Sequence, residues 1–187
     1  MRFIVIILLL SLTLTAQVIS ETTAVLHTDK GDITIKLYDK EAPVTVANFI
    51  KYAREGRYND TVFHRVIRGS IIQGGGFTLF NGSLRPIRTF PAIVNEAANG
   101  LYNTKMMVAM ARADDPNSAT SQFFINLKSN AELNSTTSQP GYAVFGRITA
   151  GWDVVTSIAN GAVKNAGIMD HVPLEPVVVK TVEIIEK

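Results

Sequence analysis

The sequence predicts a mainly β domain, a barrel or sandwich carrying two helices, and three observations lead there. Short runs of alternating or β-branched apolar residues recur along most of the chain. Clusters of Gly, Asn, Asp, Ser and Pro separate them, and two stretches repeat their apolar residues at helical spacing. Strands alternate side chains between two faces whereas helices repeat every ~3.6 residues, so the two periods tell the elements apart.

The chain starts with Met1-Arg2 and an apolar run from Phe3 to Leu14, followed by Thr15-Ala16-Gln17-Val18-Ile19-Ser20. One positive charge, an apolar core short for a bilayer span and small residues after it have the form of a secretory signal peptide. Residues 1–20 are expected to direct export and to be cleaved off after Ala16 or Ser20, leaving one domain over residues 21–187. The alternative is an uncleaved anchor, because apolar character persists through Val18 and Ile19. With no cysteine for a lipid, the mature protein is expected to be a soluble monomer without stable membrane association. The periplasm is the expected compartment, with secretion or a secretory-pathway lumen as alternatives. In a eukaryote, Asn59-Asp60-Thr61, Asn81-Gly82-Ser83 and Asn134-Ser135-Thr136 would be glycosylation acceptors.

Composition excludes several classes. The absence of cysteine rules out disulfides, thiol catalysis and cysteine-held metals, so packing must stabilise the domain. The formal charge of +2 falls to +1 once Arg2 leaves, and no Lys/Arg cluster is interleaved with aromatics. No nucleic-acid partner is expected.

Ala24–His27 and Asp32–Leu37 alternate around Thr28-Asp29-Lys30-Gly31, which predicts a hairpin. Pro43 opens a helix in which Val46, Phe49, Ile50 and Ala53 share a face, and Gly56 ends it. Thr78–Pro91 is rich in turn formers and reads as a surface loop. Strands are expected at Lys105–Met110, Phe123–Leu127, Tyr142–Ile148 and Val177–Ile185, with a polar loop at Lys128–Gly141. A second helix spans Gly151–Ile158, where the spacing of Trp152, Val155 and Ile158 makes the tryptophan a packing residue.

Between the first helix and the surface loop lies the stretch that carries the chemistry. Val62–Ile67 and Ser70–Gln73 read as two strands around an Arg68-Gly69 turn, followed by Gly74-Gly75-Gly76. Period two puts Phe63, Arg65 and Ile67 on one face and Val62, His64 and Val66 on the other. Arg65 either snorkels to water from a half-buried strand or serves a site. The glycines are no phosphate loop, since no Gly-Lys-Ser/Thr follows. No Gly-x-Ser-x-Gly occurs, and the three histidines, at 27, 64 and 171, have no triad or zinc spacing. Asp114-Asp115 lacks further ligands at calcium-loop spacing and reads as a solvated turn, so no metal is assigned.

Phe63-His64-Arg65-Val66-Ile67, Gly69, Ile72-Gln73-Gly74-Gly75 and Phe77-Thr78 resemble the signature of the cyclophilins, the peptidyl-prolyl cis/trans isomerases. Asn95-Glu96-Ala97, Val108–Arg112, Ala119–Asn126 and Gly141–Gly146 resemble the bacterial periplasmic branch of that family, and the resemblance runs from about Ala24 to the C-terminus. It implies a closed eight-stranded antiparallel β-barrel capped by two α-helices, isomerase activity on proline-containing polypeptides such as folding clients, and no cofactor. It also implies that Arg65 donates to the prolyl nitrogen while Gln73 holds Arg65 and the substrate carbonyl. The backbone at Ala111-Arg112-Ala113 and the side chain of Gln122 would hold the peptide. Phe124, Ile71 and Leu133 would form the proline pocket with Tyr142 at its rim, although taken as isolated residues Phe124 and Leu133 read better as core.

Departures from the family pattern are as informative. Ser70 replaces an aromatic expected against the proline ring, Ile71 a methionine, and Glu132 the tryptophan or phenylalanine to whose tryptophan form the family ligand cyclosporin hydrogen-bonds. One wall of the pocket is thinned, so two readings stand: an isomerase of reduced activity, or a peptide-binding or chaperone module on the same fold.

Overall fold

The computed structural model describes residues 22–167 and 169–186, so the expected signal peptide lies outside the described residues. β1 (Thr22–Thr28) and β2 (Gly31–Leu37) form the expected antiparallel hairpin and bury alternate residues, Ala24, Leu26, Ile33, Ile35 and Leu37. Thr28 Oγ1 donates to the Gly31 carbonyl at 2.6 Å and accepts from the Lys30 N–H at 3.1 Å, closing the turn with one side chain.

Helix α1 (Pro43–Arg54) buries Val46, Phe49 and Ala53 as the spacing predicts, and Thr45, Asn48 and Tyr52 beside them. No side chain of its own caps it. Instead the Glu96 carboxylate accepts from Val44 N–H at 3.1 Å and from Thr45 N–H and Oγ1–H at 2.7 Å each. A distant carboxylate thus satisfies the orphan donors of the first turn and meets the positive end of the helix dipole.

The single strand expected over Val62–Ile67 is two: β3 (Thr61–Val62) and β4 (Arg65–Ile67). Between them the Phe63 N–H donates to the Val177 carbonyl at 3.1 Å and the His64 N–H to the Gln73 carbonyl at 3.0 Å, so the chain changes neighbours there. The interruption breaks the alternation. Phe63 joins Val66 in the main core, leaving Arg65 and Ile67 half-buried outside it, which corrects the expectation that these three share a face.

β5 (Ile71–Gly74) follows, and then β6 (Phe77–Phe80) and β7 (Ser83–Pro86) form a hairpin where a surface loop is expected. Asn81 and Gly82 both adopt positive φ (48° and 73°), the backbone of a two-residue hairpin turn. The chain continues through β8 (Met107–Met110), β9 (Phe123–Asn126), a 3-10 turn at Ala131–Leu133 and β10 (Val144–Ala150). α2 (Trp152–Asn160), a small separate hairpin of β11 (Val163–Ala166) with β12 (Met169–Pro173), and β13 (Val178–Glu186) complete it. Trp152 is half-buried against the core, a packing residue as its spacing predicts.

Among the described residues eleven strands make the main sheet, in the order β4-β5-β9-β8-β10-β2-β1-β13-β3-β6-β7. The fold is mainly β with two helices, but no ladder among the described residues joins the end strands β4 and β7. A closed eight-stranded barrel is therefore not what the hydrogen bonds draw: the break at Phe63-His64 divides one strand, and the β6–β7 hairpin extends the order.

Alternation along the strands separates two apolar clusters. Ile72, Val108, Met110, Phe123, Ile125 and Phe145 face the main core, where the Phe49 ring meets those of Tyr58, Phe123 and Phe145 with centroids 5.0–5.6 Å apart. Their chain neighbours Ile71, Ala109, Phe124 and Val144 face the other way and build a second cluster.

Candidate active site

Antiparallel register sets Arg65 opposite Gln73, Gln73 opposite Phe124, Phe124 opposite Ala109, and Ala109 opposite Val144. Paired residues share a face, so one row crosses β4, β5, β9, β8 and β10, running from a cation through an amide to apolar side chains. Strand spacing of about 4.8 Å separates Arg65 and Phe124 by roughly 10 Å of backbone, a span that arginine can reach across. Phe124 is 3% exposed and Ile71 7%, and Leu133, Tyr142, Ala111, Ile67, Leu101 and Met107 pack around them.

The polar end is a chain of amides. Arg65 Nη1 donates to Gln73 Oε1 at 3.4 Å, and Gln73 Nε2 donates to Gln122 Oε1 at 2.8 Å. His64 Nε2 lies 3.1 Å from the same Gln122 oxygen. Burial of the His64 ring, 2% exposed, lowers its pKa to about 4, opposed by contacts with the Val62 backbone and Gln122 and assisted by the Arg65 charge. The glycines make room for this chain: a Cβ on Gly76 would stand 2.6 Å from the Gln122 side chain, and one on Gly75, at φ +78°, would stand 2.8 Å from the Ser121 carbonyl and 2.9 Å from the Phe123 ring.

At the apolar end the Tyr142 ring meets Phe124 edge-on, centroids 5.6 Å apart. Arg112 lies over the Tyr142 ring, its guanidinium carbon 4.6 Å from the ring centroid, and donates from Nε to the Gly141 carbonyl at 3.0 Å. Ala111 is tied to Gln122 by a backbone bond of 2.8 Å, and exposed Ala113 donates its N–H to Ser118 Oγ. Leu133 reaches the cluster from the 3-10 turn, which buried asparagines anchor: Asn103 Nδ2 donates to the Leu133 carbonyl at 3.0 Å, and Asn130 Nδ2 to Asn126 Oδ1 at 2.8 Å.

Ser70 belongs to that anchor more than to the apolar wall. Its hydroxyl donates to Asn130 Oδ1 at 3.2 Å and its carbonyl accepts from Asn130 Nδ2 at 3.1 Å. Glu132 is exposed on the turn, and no ion pair or side-chain hydrogen bond of its carboxylate is formed among the described residues. The structure thus gathers Arg65, Gln73, Gln122, Phe124, Ile71, Leu133, Tyr142, Ala111 and Arg112, and leaves Ala113 and Glu132 at the exposed edge.

Sequence reasoning assigned no role to Ala109, Val144, His64 or the three asparagines. Ala109 and Val144 carry a signal in strand alternation, once their neighbours are known to be core. The others carry none: Gln122 lies 58 positions from His64 and Asn103 lies 23 from Asn126, and the Asn126–Asn130 contact, though four residues apart, spans a strand end and a loop with no regular period.

A family model described as "Cyclophilin type peptidyl-prolyl cis-trans isomerase/CLD" matches residues 23–184. The chain belongs to the cyclophilin family. This cyclophilin is 50% identical over 169 residues to peptidyl-prolyl cis-trans isomerase cyp18 of Streptomyces antibioticus, covering 88% of this chain and 99% of that one. It is 47% identical over 163 residues to peptidyl-prolyl cis-trans isomerase B of Escherichia coli (strain K12), covering 86% and 98%. A crystal structure of a Cryptosporidium parvum cyclophilin type peptidyl-prolyl cis-trans isomerase, in the presence of the dipeptide ala-pro, superposes with a TM-score of 0.68. It is 27% identical, over 88% of this chain and 99% of that one.

Proposed function

We propose that the cluster and amide chain form the catalytic groove of a peptidyl-prolyl cis/trans isomerase, with Arg65 acting on the prolyl nitrogen and Phe124, Ile71 and Leu133 receiving the proline ring. The observation that carries this reading is the single row from Arg65 through Gln73 to Phe124. It puts a cation beside an apolar cluster, the pairing of charge and apolar surface that an X-Pro unit requires. Proline-containing polypeptides as substrates are supported by the C. parvum relative solved in the presence of ala-pro.

Rotation about the amide C–N bond must overcome ~18–20 kcal/mol of lost resonance, and an unaided X-Pro bond takes tens to hundreds of seconds. In the twisted state the prolyl nitrogen regains a basic lone pair. A guanidinium stays charged at any relevant pH and donates from a rigid plane, so Arg65 binds that state better than either planar isomer, which is the condition for catalysis. Removing about 7 kcal/mol from the barrier corresponds to roughly a 10⁵-fold acceleration. Gln73 steadies the guanidinium, while the backbone at Ala111-Arg112-Ala113 and Gln122 hold the peptide extended.

Export to the periplasm belongs to the same reading, supported by the charge and apolar pattern of residues 1–20. So does a barrel of eight strands closed through the bend at Phe63-His64, since β3 and β4 are consecutive parts of one chain segment that pair with β13 and β5. A peptide-binding module with little turnover is favoured by one feature, the carboxylate of Glu132, exposed and without an ion pair among the described residues where an aromatic residue is the pattern the resemblance implies. A protease-coupled assay on a proline tetrapeptide separates the two. Acceleration of the slow phase in proportion to protein supports the isomerase; binding without acceleration overturns it.

A further inference from the structure

We propose that His64 is a positioning residue: by donating from Nε2 to Gln122 Oε1 it fixes the direction of the amide chain that ends at Arg65. The inference rests on the isomerase reading. Gln122 Oε1 faces two nitrogens, His64 Nε2 at 3.1 Å and Gln73 Nε2 at 2.8 Å. An amide oxygen only accepts, so both nitrogens donate to it. A neutral imidazole has a single N–H, and Nε2 therefore carries it. That assignment leaves Nδ1 a bare acceptor, and Nδ1 is buried without a hydrogen-bond partner among the described residues. The opposite tautomer would turn the Nε2 lone pair toward the lone pairs of Gln122 Oε1.

The consequence passes along the chain. With its amino group engaged by Gln122, Gln73 has its carbonyl oxygen left for Arg65, at 3.4 Å from Nη1. Reversed, the Gln73 amide would turn N–H toward N–H and push the guanidinium away. His64 is suited to hold this direction because its ring does not rotate freely: it is 2% exposed and packs on Phe77 with centroids 4.7 Å apart. His64 touches no reacting atom in this scheme and acts through Gln122 and Gln73.

The wild-type protein gives the first test. Long-range ¹H–¹⁵N correlation of the His64 ring near neutral pH is expected to show the Nε2–H tautomer; an Nδ1–H ring, donating to the Val62 backbone instead, overturns the proposal. In the isomerase assay His64→Leu is expected to lower kcat roughly tenfold with KM nearly unchanged, the size of one lost hydrogen bond acting through the chain. His64→Gln, whose amide can donate from a similar place, is expected to recover most of it. Parental kcat in His64→Leu, or no recovery in His64→Gln, also overturns it. If His64→Leu does not fold, the tautomer measurement decides. A wild type inactive on proline peptides contradicts the isomerase reading instead, and the tautomer still decides the direction of the chain.

Discussion

Arg65 stands directly opposite Gln73 in the β4–β5 ladder, and its Nη1 donates to Gln73 Oε1 at 3.4 Å. The bond is long, and the guanidinium makes no other among the described residues, so most of its five donors remain open to a ligand. A bidentate salt bridge would have immobilised it. The glutamine steers Arg65 without neutralising it.

Ser70→Phe is expected to lower KM severalfold, because an aromatic beside Ile71 adds apolar contact for the proline ring. The same change removes the hydroxyl that donates to buried Asn130 Oδ1 at 3.2 Å. Loss of one such bond is worth about 1 kcal/mol, or roughly 2–4 °C in Tm for a chain of this size. Steady-state kinetics and a thermal melt check both halves, and an unchanged KM would mean that residue 70 does not reach the pocket.

Glu132→Trp is expected to tighten cyclosporin binding by at least tenfold. The carboxylate only accepts hydrogen bonds, and covering it with an apolar ligand costs desolvation; an indole supplies both N–H and contact area. Inhibition titrations on the two proteins measure the ratio. Trp152 is remote from this role, packed on the core with Lys105 Nζ 5.2 Å from its ring centroid, so enzyme inhibition is the better readout.

Acid should destabilise the fold through His64. Its folded pKa of about 4 lies below the unfolded value of 6.5, so the unfolded chain takes the proton first as pH falls. Stability from this group is complete above pH ~6.5 and is lost down to pH ~4, by about 3 kcal/mol in all. Urea unfolding across that window should show the loss in the wild type and a smaller one in His64→Gln. Equal slopes would mean that His64 is not buried neutral.

His27 should act with the opposite sign. Its Nδ1 lies 2.9 Å from Asp32 Oδ1 and its Nε2 3.4 Å from Glu183 Oε2, and these partners, Asp32 foremost, raise its pKa against a smaller effect of burial. The stabilisation is complete below the unfolded pKa of ~6.5 and fades as pH rises through the raised folded value. The Tm difference between wild type and His27→Asn should therefore be larger near pH ~5.5 than near pH ~8.5, and a difference independent of pH would contradict the pairing.

Local patterns made much of this molecule legible. The β1–β2 hairpin and α1 follow from alternation, a turn cluster and an i, i+3, i+4 stripe, all short-range signals. The β6–β7 hairpin was equally available in Asn81-Gly82, but the flanking residues alternate poorly because Phe77, Thr78 and Leu79 are all half-buried. No local rule finds the split at Phe63-His64, since it depends on two distant carbonyls, of Val177 and Gln73, competing for adjacent N–H groups. For the site, motif resemblance picks out Arg65, Gln73 and Phe124, and pairing register alone makes them one row. Gln122 and His64 meet across 58 positions of sequence, a contact that no spacing announces.

The most direct measurement is proline-isomerase activity of Arg65→Ala beside the parent, with circular dichroism to confirm that both are folded. Arg65 is half-buried and lies outside both apolar clusters, so its removal should leave the fold intact. The account predicts a fall in kcat/KM of roughly a hundredfold or more, about 2.7 kcal/mol of transition-state stabilisation, and poor recovery in Arg65→Lys because an ammonium lacks the planar fork. A folded Arg65→Ala protein that turns over at the parental rate would contradict it.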